Sequence, residues 1–334
     1  MLKFVTFSLK TQLNVHDLNN EAVAGNVTDI RIMEFLDEGG NRIEAPAVSG
    51  RMLKHWHYEG MRHLILNGQY SLNELCAGCK VGEPIRPASL SGEKLQQIKP
   101  KKLQDEEQFV KNCVICDIHG YLIAQEAKGK GEEEELETST EKGKQKIPPL
   151  RRSSRVMFSW LMPVLGYDTT QKQVIHTRVS QQESVAEGKG AAQMIFNKSY
   201  ASGIYAFVSA FDVDRVGLVE LNLGTPTPYA INDNDRKERI KVAIEAYRLM
   251  LSGQIGASLS HALPHQNPIE VLVAYSETGP LPFPVSPMYS DYFEKTIGLM
   301  PEGTQFLYWG SEMPSSVKKK NTLNEIFQEL LSKI

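Results

Sequence analysis

Residues 46–66 read PAVSGRMLKHWHYEGMRHLIL, and the reading of this stretch decides the rest. At about 100° per residue, a helix here gathers Arg51, Lys54, His55, Tyr58 and Arg62 into one stripe and sets Leu53, Trp56, Gly60 and Leu64 opposite. Ser49 stands where an N-cap is wanted, and Pro46 keeps the preceding segment extended. One face can be buried while the other offers cations and a ring. The free N–H groups of the helix N-terminus, its dipole, and the side chains of Arg51, Lys54 and His55 all have the same sign, which suits an anionic backbone such as phosphate. The alternative is the ordinary solvated face of an amphipathic helix.

Upstream, LKFVTFSLKTQL (2–13) alternates as a strand with one buried face. Residues 29–36 alternate again and are turned by DEGGN. Asn26, Thr28 and Arg31 thus lie just before the helix, either sharing its ligand or forming a plain polar hairpin. Downstream, Arg151, Arg152 and Arg155 lead into an apolar strand expected over 156–165, where arginine can grip phosphate bidentately or line a solvated strand entrance. His176 and Arg178 end a strand in QKQVIHTRVS, and GIYAFVSAFDVDRVGLVEL (203–221) is the most strand-like run in the chain. A helix over 232–253, a strand over 269–277, a proline-rich loop after it and an amphipathic terminal helix complete the pattern. Stripped of insertions, the order is strand, helix, strand, strand, helix, strand. That places the chain in the α+β class, as a ferredoxin-like or RRM core built from 1–67 and 151–334.

The texture between 68 and 150 differs, being rich in proline, glycine and charge runs. It is expected as an insertion, with a small knuckle over 72–122 and a flexible loop over 126–148. All four cysteines lie in it as two CxxC pairs, Cys76 with Cys79 and Cys113 with Cys116. In a reducing compartment such pairs are more often metal ligands than disulfides, and four thiolates suit tetrahedral Zn2+ with no position left open. A structural zinc ion is therefore expected, with Asp117 and His119 near enough in sequence to substitute or support. Two disulfides or free thiols are the alternatives.

The 334 residues carry a net charge of −3 and 41% hydrophobic residues, so the chain has no general excess of cations and any nucleic acid must be held locally. No apolar run approaches the roughly 20 residues of a membrane span. A cytoplasmic protein without a membrane partner is expected.

The strings VSGRMLKHW and RRSSRVMFSW resemble the SG-x-x-L-(K/R)-(H/R) helix and the basic lead into an FSW-type strand of the DevR-type CRISPR-associated proteins, the repeated backbone subunits of Cascade complexes. The archaeal type I-A-like branch is the nearest in wording. This resemblance implies a modified RRM fold with inserted finger and thumb elements, the finger being 68–150 and the thumb lying near 180–192. It also implies a scaffold without catalysis. Copies would assemble head-to-tail along a CRISPR guide RNA beside other Cascade subunits, holding the sugar-phosphate chain while its bases pair with a target DNA strand. The RNA-binding candidates are Asn26, Arg31, Ser49, Gly50, Arg51, Lys54, His55, Arg151, Arg152, Arg155, His176 and Arg178.

Catalytic signatures are absent: no HExxH, GxSxG, Walker GxxxxGK[ST], or GxGxxG between a strand and a helix occurs. No aromatic RNP motif is present either, so the bases should not be read by that route. Two other readings stay open. One is an RNA endonuclease of the type III backbone kind, with Asp17 or Asp29 as its loop acid. The other is a zinc-containing DNA-binding regulator, which would need a recognition helix beside the cysteines, and 80–112 does not offer a convincing one.

Overall fold

A computed structural model describes residues 1–18, 20–22, 27–70, 75–100, 102–124, 149–179, 193–252, 263–311 and 317–334. In chain order the first elements are β1 (Phe4–His16), β2 (Asn20–Ala22), β3 (Val27–Ile30), β4 (Ile32–Leu36), β5 (Arg42–Pro46) and α1 (Gly50–Leu66). Next come α2 (Ala77–Val81), β6 (Ala88–Ser91), β7 (Lys94–Gln97), α3 (Asp105–Asn112), α4 (Val114–His119), β8 (Tyr121–Ile123) and β9 (Leu150–Arg152). The remainder comprises β10 (Val156–Phe158), β11 (Met162–Pro163), β12 (Thr170–Val179), β13 (Gln193–Asp212), α5 (Asp233–Leu251), β14 (His265–Ser276), α6 (Tyr292–Leu299), β15 (Gln305–Trp309), β16 (Lys318–Lys319) and α7 (Leu323–Leu331).

The chain forms two compact units, one from Met1–Gly60, Val156–Asp214 and Ile244–Ile334, the other from Met61–Arg155 and Arg215–Ala243. In the first, β13 is the spine of a mixed sheet ordered β16-β15-β14-β1-β13, with β10, β11 and β12 also paired to β13. Phe4–Leu13 runs antiparallel to Gly203–Asp212, and β1 is likewise antiparallel to β14. The aliphatic and aromatic residues that recommend these segments as strands also bury them: Val5, Phe7, Phe211, Val271 and Val273 have no exposed surface. One face carries α5 and α7, where Phe7 stacks on Tyr247 at 4.3 Å and lies 6.3 Å from Phe327. The other is closed by Leu281 against Phe4, Ala210 and Ala274, and by Tyr292 and Phe293 against Leu272 and Tyr308.

Three departures from the sequence reading bear on function. The strand expected over 156–165 is interrupted: four steps from Phe158 to Met162 match three from Ser209 to Ala206, which is a β-bulge over 159–161. The strand-like run 203–221 is strand only as far as Asp212, close to the 203–213 that the order of elements requires, but the strand begins well upstream, at Gln193. Its upstream half pairs with β12 over Thr170–Val179. The five-residue strand β15 and the helix α6 are additions, their short apolar spans being masked by proline-rich flanks. No helix among the described residues is long and apolar enough to cross a membrane.

The second unit contains α2, α3, α4, the hairpins β6–β7 and β8–β9, and residues 215–243. The segment 126–148, expected as a flexible loop, lies outside the described residues.

Candidate nucleic-acid interface and metal centre

The start of α1 is fixed by a ladder of backbone bonds. Ala47 N–H donates to Arg31 O at 3.0 Å, while Val48 and Leu161 exchange N–H to O bonds of 3.0 and 2.9 Å. Arg31, residues 47–48 and Leu161 are thereby neighbours. Ser49 caps the helix, its Oγ accepting from Met52 N–H at 3.3 Å. Gly50 is required sterically, since a Cβ there would come within 2.6 Å of Phe158 O and 2.8 Å of Ser159 O. The two strings that carry the family resemblance therefore touch each other at this glycine.

Arg51 is exposed in the first turn, and Lys54 and His55 are partly exposed. The first turn holds no acidic residue. The stripe does not continue as drawn from the helical period. Tyr58 is buried, stacked beside His55 at 5.7 Å, and Arg62 donates through Nε and Nη2 to the carbonyls of Cys79 and Lys80. His57 is fully buried, 4.4 Å from Tyr247 and 5.7 Å from Phe158. Gly60 allows close approach to Ala246. Arg31 is partly buried with its guanidinium 5.7 Å above the Trp160 ring.

The basic lead at 151–155 has a different fate. Of its arginines only Arg151 is exposed. Arg152 is buried, pairing with Asp117 at 2.5 Å and Glu106 at 2.9 Å and donating to Leu218 O at 2.8 Å. Arg155 is buried and pairs with Glu220 at 2.6 Å. Burial pushes the Glu220 carboxyl upward, but Arg155 and Arg152 outweigh it and hold the group down at about 2. Asp117 is further fixed by Arg239 at 2.9 Å and by Gly217 N–H. The expectation that Arg152 and Arg155 grip phosphate is thus corrected: their charge is taken up by carboxylates inside the second unit.

His176 stacks on Phe196 at 5.3 Å and lies 3.1 Å, through Nε2, from Tyr200 Oη on the β12–β13 pair. Arg178 is on β12, but its side chain lies outside the described residues, as does Asn26. The acids considered for a nuclease are engaged elsewhere. Asp17 is buried and paired with Lys198, and Asp29 Oδ1 accepts from Ile30 N–H and Gln171 Nε2. Beside Asp17, His16 is fully enclosed, and burial, opposed by Asp17, lowers its pKa to about 4.

All four cysteines converge, as the spacing suggested. Their Sγ atoms lie within 4.8 Å of one another, with Cys76 and Cys116 at 3.7 Å. None of the four is joined in a disulfide, and three of them are buried. The thiols of Cys113, Cys116 and Cys79 lower the pKa of Cys76 by hydrogen bonding to its sulfur. A tetrahedral ion with metal–sulfur bonds of about 2.3 Å needs sulfurs about 3.8 Å apart, so the donor set and its spacing fit one mononuclear ion.

The architecture is that of a mixed α/β protein with a central sheet. It is similar to a chain described as "CRISPR RNA-guided surveillance complex, pre-nicking", with a TM-score of 0.55 and 12% identity over 98% of this chain and 99% of that one. The family model for "CRISPR-associated negative auto-regulator DevR/Csa2" matches residues 7–297, and the chain belongs to that family. Among its relatives is a "CRISPR-associated protein Cas7/Cst2/DevR" of Methanocaldococcus jannaschii, 27% identical over 99% of this chain and 98% of the relative. Another so described, from Thermoproteus tenax, is 28% identical over 88% of this chain and 84% of the relative. A "CRISPR-associated aCascade subunit Cas7/Csa2 2" of Saccharolobus solfataricus is 23% identical over 87% and 84%.

Proposed function

We propose that this protein is a guide-RNA-binding backbone subunit of a Cascade-type complex that performs no bond cleavage itself. The observation that carries the reading is the start of α1, where Arg51 stands exposed, Lys54 and His55 partly exposed, and Arg31 alongside, at a helix end of positive polarity. Arg151 is a second exposed cation, and His176 and Arg178 lie on β12, just before residues 180–192 in sequence, the expected thumb, which lie outside the described residues. Such contacts hold a sugar-phosphate chain without reading its sequence, which a carrier of arbitrary guides requires. The strand order β14-β1-β13-β10, with α1 and α5 as the crossovers, supports reading the core as a modified RRM. Membership of a family with a relative named as an aCascade subunit supports the partners: other Cascade subunits, further copies head-to-tail, and target DNA paired to the guide.

Cys76, Cys79, Cys113 and Cys116 would hold a structural zinc ion that closes the second unit. A DNA-reading helix next to this centre is disfavoured, since α3 opens on Asp105, Glu106 and Glu107 and α4 is buried throughout.

The test is binding of guide-length RNA at several salt concentrations. Affinity should fall with salt and hardly vary with sequence, and Arg51→Ala with Lys54→Ala should weaken every sequence alike and flatten the salt slope by about 1.4. Unchanged binding in the double variant would remove the site; RNA degradation dependent on divalent metal would favour the nuclease.

A further inference from the structure

The sheet leaves few aromatic rings for a base. On β1, β14 and the 203–212 half of β13, every Phe and Tyr ring, from Phe4 and Phe7 through Tyr205, Phe207 and Phe211 to Tyr275, is at most 5% exposed. Trp56 is buried in α1. Trp160, like Trp309 on β15, is partly exposed, and it alone of the three tryptophans stands next to the cationic helix start.

Its placement is built rather than incidental. The bulge over 159–161 breaks the alternation of the β10–β11 edge with Trp160 at its centre, and bulges re-aim side chains in this way. Ser159 pins one side of the bulge, donating N–H to Val208 O at 2.9 Å and accepting Val208 N–H on its Oγ at 2.9 Å. The Val48–Leu161 bonds pin the other side to the residue just before the N-cap. Above the ring lies the Arg31 guanidinium, a planar cation that can continue a stack as well as meet phosphate. An indole, a guanidinium and the first turn of α1 thus stand together.

We infer that Trp160, held by the bulge and paired with Arg31, is a stacking platform for a nucleobase of the RNA whose backbone the start of α1 grips. The inference rests on the RNA-binding reading above and adds to it a contact with the base plane. Because every base has a flat face, the contact needs no sequence preference, in keeping with a carrier of arbitrary guides.

Three probes of equal length separate the ideas: oligoadenylate, oligouridylate and an abasic ribose-phosphate chain, each titrated while Trp emission excited near 295 nm is followed. Both homopolymers should quench the wild type and the abasic chain should not. Trp160→Phe should lose the quench yet keep most of the affinity, since a ring remains. Trp160→Leu, checked for folding by its melting curve, should bind both homopolymers roughly tenfold more weakly and the abasic chain unchanged. If Arg51→Ala with Lys54→Ala weakens binding but Trp160→Leu does not, or the quench survives in Trp160→Phe, the platform is wrong while the RNA reading stands. If no probe binds the wild type, both fall.

Discussion

The first unit packs rings where the second packs ions and thiols. Behind the sheet, Phe7, Tyr247, Phe158 and His57 form a stack, with Tyr247 Oη 2.7 Å from Ser209 Oγ as its polar bond. In the second unit, Asp117, Glu106 and Glu220 meet Arg152, Arg155 and Arg239, beside four convergent cysteines. The same residue type therefore does opposite things in the two. Arg51 of the first unit faces water, whereas the side chain of Arg152 in the second has no exposed surface. A unit with few long apolar elements needs other means of closure: the paired charges are one, and a metal on the four cysteines, as proposed, would be a second.

The sharpest way to break this contrast is at the four cysteines. Cys113→Ser, or treatment with a strong chelator, should unfold the second unit, with a loss on the order of 5 kcal/mol or more if the thiolates hold zinc as proposed. Limited proteolysis with metal analysis reads it: cleavage should concentrate within 75–124 while β1, β13 and β14 stay protected. Equal protection of both with no metal bound would mean that the unit closes on its own packing.

Next in size is Arg152→Ala. Taking one partner from a buried cluster leaves Asp117 and Glu106 partly uncompensated, and such losses run about 3–5 kcal/mol. Thermal unfolding should show it, with RNA binding at permissive temperature retained. A variant that melts like the wild type but binds RNA poorly would return Arg152 to the interface.

These two cases show what the sequence could and could not tell. The cysteines were legible because CxxC spacing is local and only four sulfurs needed to meet. The helix at 50–66 and its cap were legible from period and from Ser49. The fate of Arg152 was not, because its acids come from positions 106, 117 and 220, and nothing in RRSSR announces them. Nor did the helical period expose the end of the cationic stripe at Tyr58, whose burial depends on tertiary packing around α1. Gly50 reads as an RNA-binding candidate, yet the immediate reason for a glycine there is the backbone of Phe158 and Ser159. The bulge that aims Trp160 was hidden inside what reads as one continuous apolar strand.

A third effect is specific to the first unit. His16 is neutral in the fold down to about pH 4, whereas in the unfolded chain it takes up a proton near 6.5. Between those values unfolding binds a proton, so stability is full above pH 6.5 and falls as the pH drops toward 4. The gap of about 2.5 pH units corresponds to about 3 kcal/mol. Denaturant melts of the wild type and His16→Leu across this range should differ in slope, the variant losing less on acidification. Parallel curves would show that His16 does not govern the acid sensitivity of the sheet.

The smallest effect bears most directly on function. Arg51 lies in the first turn of α1, where the helix dipole disfavours a cation, and no acid in that turn offsets it. Arg51→Ala should therefore leave the melting point unchanged or raise stability by a few tenths of a kcal/mol, while lowering RNA affinity. Arg152→Ala should do the reverse, so the two substitutions form a crossed pair measured by unfolding and by binding. A residue that slightly destabilises its own helix yet stays exposed has no role in holding the fold together. If Arg51→Ala instead lowered stability by more than about 1 kcal/mol, the arginine would belong to the structure, and the case for α1 as the RNA-facing element would lose its main support.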